Sequence, residues 1–497
     1  MQKKAVVIGS GFSGMSAASF LASAGWDVII LEKHSTPGGR ARQFSDKGFR
    51  FDMGPSWYWM PEVFDRYFEQ LGENRKEFYS LIRLSPSYRV YWENDFTDIP
   101  DDYEKLQQLF EQIETGSSAK LDQFLKEAKY KYHVGIENLV LKPGLSIKEF
   151  ADTNFLKGLL KLDVFTSMKK HIKKYFKSEK LQQLLEFPTL FLGALPENTP
   201  ALYSLMNYAD IKLGTWYPEG GMYKIAEAMH TVAEKKGVKF FFNHTVEKIS
   251  INKTTADEVF AVSGSNKVSF IADVVIGSAD YHFIEKKLLP DHLQSYSDDY
   301  WNSRKMAPSC LLFYVGINKK IPDLQHHSLF FDADFEQHAL DIYKDPKWPE
   351  RPLFYVSATS VSDNTVAPEG HENLFFLIPV AAGLKGDTES MRKEYFTKIF
   401  KRFQHRTGQD LNNHIVFYKS FGPSDFVSEY NSFKGNAYGL ANTLMQTAIL
   451  KPSCKSKKVS NLYYTGQLTV PGPGVPPSLI SGEVVAKQII KKIKSYD

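Results

Sequence analysis

The sequence predicts an α/β protein, with a Rossmann-like dinucleotide-binding domain and a discontinuous second domain of mixed sheet and helices. Three observations point there. The N-terminal stretch runs strand, glycine turn, helix, strand, acid, the order a dinucleotide site needs. The C-terminal stretch runs strand, Gly/Pro-rich crossing, small-faced helix. Between them, apolar strands separated by polar loops recur over residues 301–420, as in a sheet that floors a cavity.

Ala5-Val6-Val7-Ile8 is a short β-branched run, the pattern of a buried strand. It leads into Gly9-Ser10-Gly11-Phe12-Ser13-Gly14 and an Ala/Leu-rich helix from Met15 to Ala24. Gly9 permits the tight turn, Gly11 lets a pyrophosphate approach the backbone, and Gly14 lets the helix sit against the strand. The helix N-terminus offers free amides to phosphate. A second strand, Trp26 to Leu31, closes on Glu32, placed to accept the ribose hydroxyls and to repel a 2′-phosphate, so NADP is disfavoured. Pro37-Gly38-Gly39-Arg40-Ala41-Arg42 suggests a second loop closing over the dinucleotide, and Phe49 to Pro55 alternates into another Gly-Pro turn.

At 497 residues the chain is too long for one simple core. A mean hydropathy of −0.32 is that of a globular protein, and an aromatic content of 14% suits a large apolar pocket. The two cysteines, Cys310 and Cys454, form no CxxC, which argues against a disulfide framework, a thiolate zinc site or a flavin-plus-disulfide reductase, and suggests a reducing compartment. No signal peptide is expected ahead of the first strand. No run of ~18 apolar residues predicts a spanning helix, and a net charge of +4 does not argue for nucleic acid.

Further helices are expected over Glu62–Leu71, Asp98–Tyr132 (broken near Gly116), Leu202–Tyr208, Tyr223–Lys235 and Glu389–Arg406. Strands are expected within Tyr79–Trp92 and at Lys239–Phe242, His244–Ile249, Ala272–Ile276, Ser309–Gly316, Leu353–Ala358 and Leu374–Val380, with a hairpin around Gly264 and Asn266. From Ile147 to Leu185, leucines and phenylalanines recur at helical spacing among Lys157, Lys161, Lys169, Lys170, Lys173, Lys174 and Lys177, a pattern suited to an anionic membrane surface or to a solvated basic face. The chain closes with a strand over 461–466, the crossing Pro471-Gly472-Pro473-Gly474-Val475-Pro476-Pro477, and a helix from Ser478 to Lys491 whose N-terminus can aim amides at a ligand.

Gly9 to Gly14, Glu32, Gly38 to Arg42 and Asp52 to Pro55 resemble the flavin-dependent amine oxidase and phytoene desaturase superfamily. The ending LYYTGQLTVPGPGVPPSLISGEVVA resembles that of the bacterial-type carotenoid desaturases, with departures. Val470 stands where a His is common, Pro473 where a Gly is common, and Gln467 where wider FAD families often carry an acid. The resemblance implies an extended FAD touching Gly9, Gly11, Gly14, Glu32, Lys33, Gly39, Arg40, Met53, Gly54, Pro55, Val246, Gly466, Gly474, Val475 and Pro476, with the Gly277 region near the pyrophosphate. It divides the chain into FAD-binding parts 1–75, 231–300 and 421–497 and substrate-domain parts 76–230 and 301–420.

The activity so implied is hydride transfer from an acyclic carotenoid to flavin, with proton loss from the adjacent carbon and a new C=C bond. The VPGPGVPP form points toward a 1-hydroxycarotenoid 3,4-desaturase, the other substrate class being phytoene and its acyclic intermediates. A carotenoid or retinoid isomerase and an amine oxidase are further alternatives. His282, Tyr314 and Asn207 are candidates to meet a substrate hydroxyl. No catalytic base can be named, Asp52 being either near the flavin or a support of the Gly54-Pro55 turn, and Arg40 and Arg42 suit phosphate or flavin charge better than proton transfer. The 13 histidines form no metal-ligand motif. The expected partners are the carotenoid, a membrane lipid surface and oxygen or a quinone as electron acceptor, on the cytoplasmic side of a membrane as a peripheral protein attached around Leu156 to Phe176.

Overall fold

The structure, a computed structural model, describes residues 2–146, 149, 162–190 and 193–494. A five-stranded parallel sheet is ordered Leu462–Tyr464, Val274–Gly277, Lys4–Ile8, Asp27–Leu31, Lys239–Phe241. Lys4–Ile8 is central, and Val6 and Val7 are fully buried, as a near-continuous apolar run in a parallel sheet requires. Gly9 follows at its carboxyl end, so the glycine loop opens at the edge where ligands of such sheets bind.

The first helix, Phe12–Ser23, packs against the last, Val475–Lys494. A Cβ at Gly482 would overlap the Ser13 carbonyl oxygen and crowd the Ala17 amide. A Cβ at Gly14 would likewise overlap the Gly9 carbonyl oxygen. Ser16 Oγ donates to the Leu479 carbonyl oxygen at 2.7 Å and fixes the crossing. The closing helix begins at Val475, three residues earlier than the sequence suggests, because Pro476 and Pro477 fit the first turn, where no amide is needed.

A seven-stranded mixed sheet forms the second layer, ordered Ile415–Phe421, Ser309–Ile317, Glu372–Val380, Phe354–Ser357, His327–Phe330, Tyr88–Tyr91, Phe96–Ile99. The expected strand region Tyr79–Trp92 is split: Leu81–Arg83 pairs with Trp216–Pro218, and Tyr88–Tyr91 joins the seven-stranded sheet. The expected helix over Leu202–Tyr208 is a 3₁₀ turn at Ala201–Ser204, an α-helical turn at Leu205–Tyr208 and a π-turn at Ala209–Leu213. Thr245–Asn252, Thr255–Ser263 and Asn266–Ile271 make a separate antiparallel sheet. No helix among the described residues is long and apolar enough to cross a membrane.

Much of the lysine-rich stretch, including Leu156 to Lys161, lies outside the described residues. Met168–Tyr175 is a helix with Met168, His171 and Ile172 buried. Lys169 faces Glu336 at 3.3 Å and Glu197 at 3.8 Å, so part of the expected basic face is neutralised within the protein.

Gly482→Ala should force the two terminal helices apart. The expected cost is about 1–3 kcal/mol, read as a lower thermal unfolding midpoint, whereas Ala486→Gly, on the same helix, should lack the steric clash.

Candidate functional site

A cavity of about 450 Å³ runs from the glycine loops of the parallel sheet to the face of the seven-stranded sheet. At one end its wall holds Gly9, Gly11, Glu32, Lys33, Gly39 and Arg40, joined by Gly54, Pro55, Val246, Gly466, Gly474, Val475 and Pro476. Of the expected cofactor residues, only Gly14 and Met53 do not line it. Gly14 serves the strand–helix contact described above, and the Met53 carbonyl oxygen accepts from Tyr314 Oη at 2.8 Å.

The local chemistry of this end is anion- and hydroxyl-binding. Gly11 is the N-cap of the first helix, has no side-chain cap and has open space where a Cβ would stand. Glu32 is buried, taking Ser10 N and Ser10 Oγ on Oε2 at 2.8 Å and His34 N on Oε1 at 2.9 Å. An ionised carboxylate has about four acceptor positions, so it keeps capacity toward the cavity. Arg40 reaches Ser432 Oγ at 2.6 Å with Nη2, while its buried Nε has no partner among the described residues. Burial lowers the Arg40 pKa, against the opposing pull of Asp280. Burial in turn raises Asp280 to about 6, although the Phe283 and Phe433 amides donate to it at 3.2 and 3.1 Å. Thr465 Oγ1, on the same wall, is also buried without a partner among the described residues. A Cβ at Gly54 would press on the Arg40 carbonyl oxygen at 2.6 Å, so glycine is what lets these two loops meet.

Several expectations need correction. Arg42 does not line the cavity: its Nη2 donates to Glu429 at 2.9 Å and it lies beside the Tyr430 ring. The Val475 helix presents one first-turn amide, that of Val475, because Pro476 and Pro477 have none. Asp52 does not hold the Gly54-Pro55 turn. It accepts the Met222 and Tyr223 amides at 2.7 and 3.0 Å, at the start of helix Tyr223–Lys235. His282, whose ring centre lies 4.0 Å from that of Phe433, Tyr314, and Asn207, which donates to the Leu185 carbonyl oxygen at 3.0 Å, do not line the cavity.

The other end is apolar and aromatic, with Trp57, Trp59, Tyr203, Leu205 and Met206 facing the sheet. Leu312, Leu377 and Tyr355 stand in register across three neighbouring strands and all reach the cavity. Tyr355 Oη is 2.7 Å from His327 Nδ1, and His327 stacks on Trp57 with ring centres 4.1 Å apart. Burial holds His327 neutral, with a pKa well below its usual value. His327 Nε2 has no partner among the described residues. A bare lone pair costs less there than a bare N–H. The proton therefore belongs on Nδ1, donating to Tyr355, which frees the tyrosine hydroxyl to donate to an occupant of the cavity. This pair carries no spacing signal in sequence, since sheet pairing assembles it.

An anion- and hydroxyl-binding end continuous with an oily one fits an enzyme of the FAD-binding oxidoreductase class. The chain belongs to the flavin-containing amine oxidoreductase family, whose sequence profile matches residues 12–490, and within it to the phytoene/carotenoid desaturases. It is 40% identical over 489 residues to a carotenoid 3,4-desaturase of Haloarcula japonica, covering 98% of each chain. It is 29% identical over 495 residues to a zeta-carotene-forming phytoene desaturase of Myxococcus xanthus, covering 98% of this chain and 94% of the other. Among solved structures, an oxidoreductase from Methanosarcina mazei shares the fold at a TM-score of 0.63 and 16% identity, covering 97% and 100% of the two chains. Putrescine oxidase bound to putrescine does so at 0.61 and 14%, covering 99% of both. Carotenoid desaturation with FAD is thus the activity at the level of the family.

Burial raises the Asp52 pKa from 3.8 to about 6. A raised carboxyl pKa gives stability that is complete below the unfolded value and lost as pH rises through the folded one. The difference in unfolding midpoint between wild type and Asp52→Asn should therefore change between about pH 4 and 6 and level off above. A flat difference across that window would contradict the assignment.

Proposed function

We propose that the protein is a 1-hydroxycarotenoid 3,4-desaturase, removing two hydrogens from a saturated C–C pair that adjoins a polyene. The observation that carries this reading is the 40% identity, along 98% of both chains, to a protein named carotenoid 3,4-desaturase. Phytoene and its acyclic intermediates are the second reading, supported by the match to a phytoene desaturase.

The polar end fits FAD: an open helix N-terminus, a buried carboxylate with spare acceptor capacity, and two orphaned donors, Arg40 Nε and Thr465 Oγ1, on one wall. In this reading Gly9, Gly11 and Gly39 admit the pyrophosphate, Glu32 takes adenosine ribose hydroxyls, Arg40 answers phosphate charge, and Val246 lies beside the adenine. Gly54, Pro55, Gly466, Gly474, Val475 and Pro476 border the cofactor farther along, with Lys33 at its rim and Gly14 and Met53 supporting from behind. Bound FAD would supply the two-electron oxidant, with oxygen or a membrane quinone as terminal acceptor. Trp57, Trp59, Leu312 and Leu377 exclude water and align the polyene. Tyr355, oriented by His327, offers a hydrogen bond to the substrate oxygen, the role the sequence had suggested for His282, Tyr314 or Asn207.

The test is incubation of the purified yellow protein with phytoene, neurosporene-type and hydroxylated acyclic carotenoids, with products read by mass and absorbance. Loss of two hydrogens from the hydroxylated substrate, with phytoene untouched, is expected; the reverse pattern overturns the reading. Glu32→Gln should weaken FAD binding roughly 10–100-fold, from the ~1.5–3 kcal/mol of a hydrogen bond to a charged group, measured by flavin fluorescence. Tyr355→Phe should raise KM for the hydroxylated substrate by up to about tenfold and leave FAD binding unchanged.

A further inference from the structure

Outside the cavity, a groove of about 840 Å³ lies between the Gly144–Leu145 loop, the segment from Tyr296 to Lys305 and the stretch from Thr443 to Lys457. Its apolar side chains are turned outward: Met445 is 71% exposed, Leu145 and Leu450 43%, and Ile449 37%. Isolated surface apolar residues need no explanation, but four around one groove do. The same groove is lined by Arg304, Lys305, Lys451 and Lys457, and by no aspartate or glutamate among the described residues.

Among the described residues, the partners of these cations are not carboxylates. Arg304 lies over the Tyr300 ring at 4.4 Å and donates to Ser303 Oγ at 3.1 Å. Lys457 lies over the Tyr296 ring at 4.2 Å. Lys451 is buried and donates to Asn442 Oδ1 at 2.8 Å. The acid of the adjoining loop, Glu149, is spent on the Gly144, Leu145 and Ser146 amides at 2.9, 3.0 and 3.2 Å. Burial pulls Lys451 down to about 7, so an anion brought into the groove would restore its charge.

Asn442, the partner of Lys451, lines the cavity described above, and Gly472 closes on both at 3.0 Å from where its Cβ would be. Groove and cavity thus share one wall. An oily ligand of that cavity is delivered from a lipid phase, and the groove carries what such a phase requires: outward apolar side chains for the acyl boundary, ringed by unneutralised positive charge for phosphates.

We propose that this groove is the face that docks on an anionic phospholipid bilayer, with Leu145, Met445, Ile449 and Leu450 dipping below the headgroups and Arg304, Lys305 and Lys457 meeting lipid phosphate. Its purpose, though not its geometry, rests on the carotenoid reading above. The lysine helix Met168–Tyr175 and the exposed Phe165 form the competing face.

The test is co-sedimentation of the full-length flavoprotein with phosphatidylcholine vesicles, with and without phosphatidylglycerol. Binding to the anionic vesicles should exceed binding to the neutral ones at least tenfold and fall with salt. Arg304→Glu/Lys305→Glu/Lys457→Glu should weaken it at least tenfold, and Met445→Ser/Leu450→Ser should do so without changing the net charge. Reversal of Lys169, Lys170, Lys173 and Lys174 should leave it within twofold. Unchanged flavin absorbance and thermal midpoint identify folded variants. Wild-type binding by both groove variants, loss only on reversal of the lysine helix, or no preference for anionic vesicles overturns the proposal. Turnover of carotenoids in detergent is scored separately: its absence in a protein that docks as described sinks the carotenoid reading and leaves the docking face standing.

Discussion

The structure depends on one close approach, that of the first helix to the last. Gly482 on Val475–Lys494 meets the Ser13 carbonyl of Phe12–Ser23 with no room for a methyl group, and the Ser16 hydroxyl ties the same crossing. Because the two helices are packed so closely, the loops that precede them, Gly9–Gly11 and Gly466–Gly474, are held on the same cavity wall. Arg40 and Gly54 are brought in by a second glycine-limited contact. A polar end built from parts so far apart in the chain has little freedom to relax around a ligand, and preorganisation of this kind lowers the ordering cost of binding.

Much of this was legible in the residues. The helix at Tyr223–Lys235 ends where its apolar periodicity ends, and the strands Lys4–Ile8 and Asp27–Leu31 follow from short β-branched runs between glycines and acids. Almost every expected cofactor residue lies on the one cavity wall, because its signal was local: a turn, a cap, a glycine. What was not legible depends on distant pairing. Arg42 looks like a phosphate ligand until Glu429 is seen 2.9 Å away. Asp52 looks like a flavin neighbour until the chain returns at Gly221, where only a glycine fits against its carboxylate. Tyr355 and His327 are ordinary members of two apolar strands, and nothing marks them before the sheet is assembled.

Polar groups in the oily half follow a consistent logic. Asp210, raised by burial to about 7, is held by Tyr88 at 2.9 Å and Thr215 at 3.1 Å, away from the cavity. Lys131, buried, is matched by Asp163 at 2.9 Å, and it fills the space between Glu127, Asp163 and His171 that a cation would otherwise suit. Charges are thus neutralised behind the walls, and the surface offered to a hydrocarbon is aromatic and aliphatic.

The sheet order has a consequence for biosynthesis. Val274–Gly277 borders the glycine-loop strand on one side and Leu462–Tyr464 on the other, and the latter is the last in chain order of the strands among the described residues. At translation rates of about 5–20 residues per second, the interval between the two is on the order of ten to forty seconds. Throughout it the nascent parallel sheet has an uncovered apolar edge, a state that invites misassembly and favours chaperone holding. The order in which its strands are made gives this protein a vulnerable adolescence that its mature form conceals.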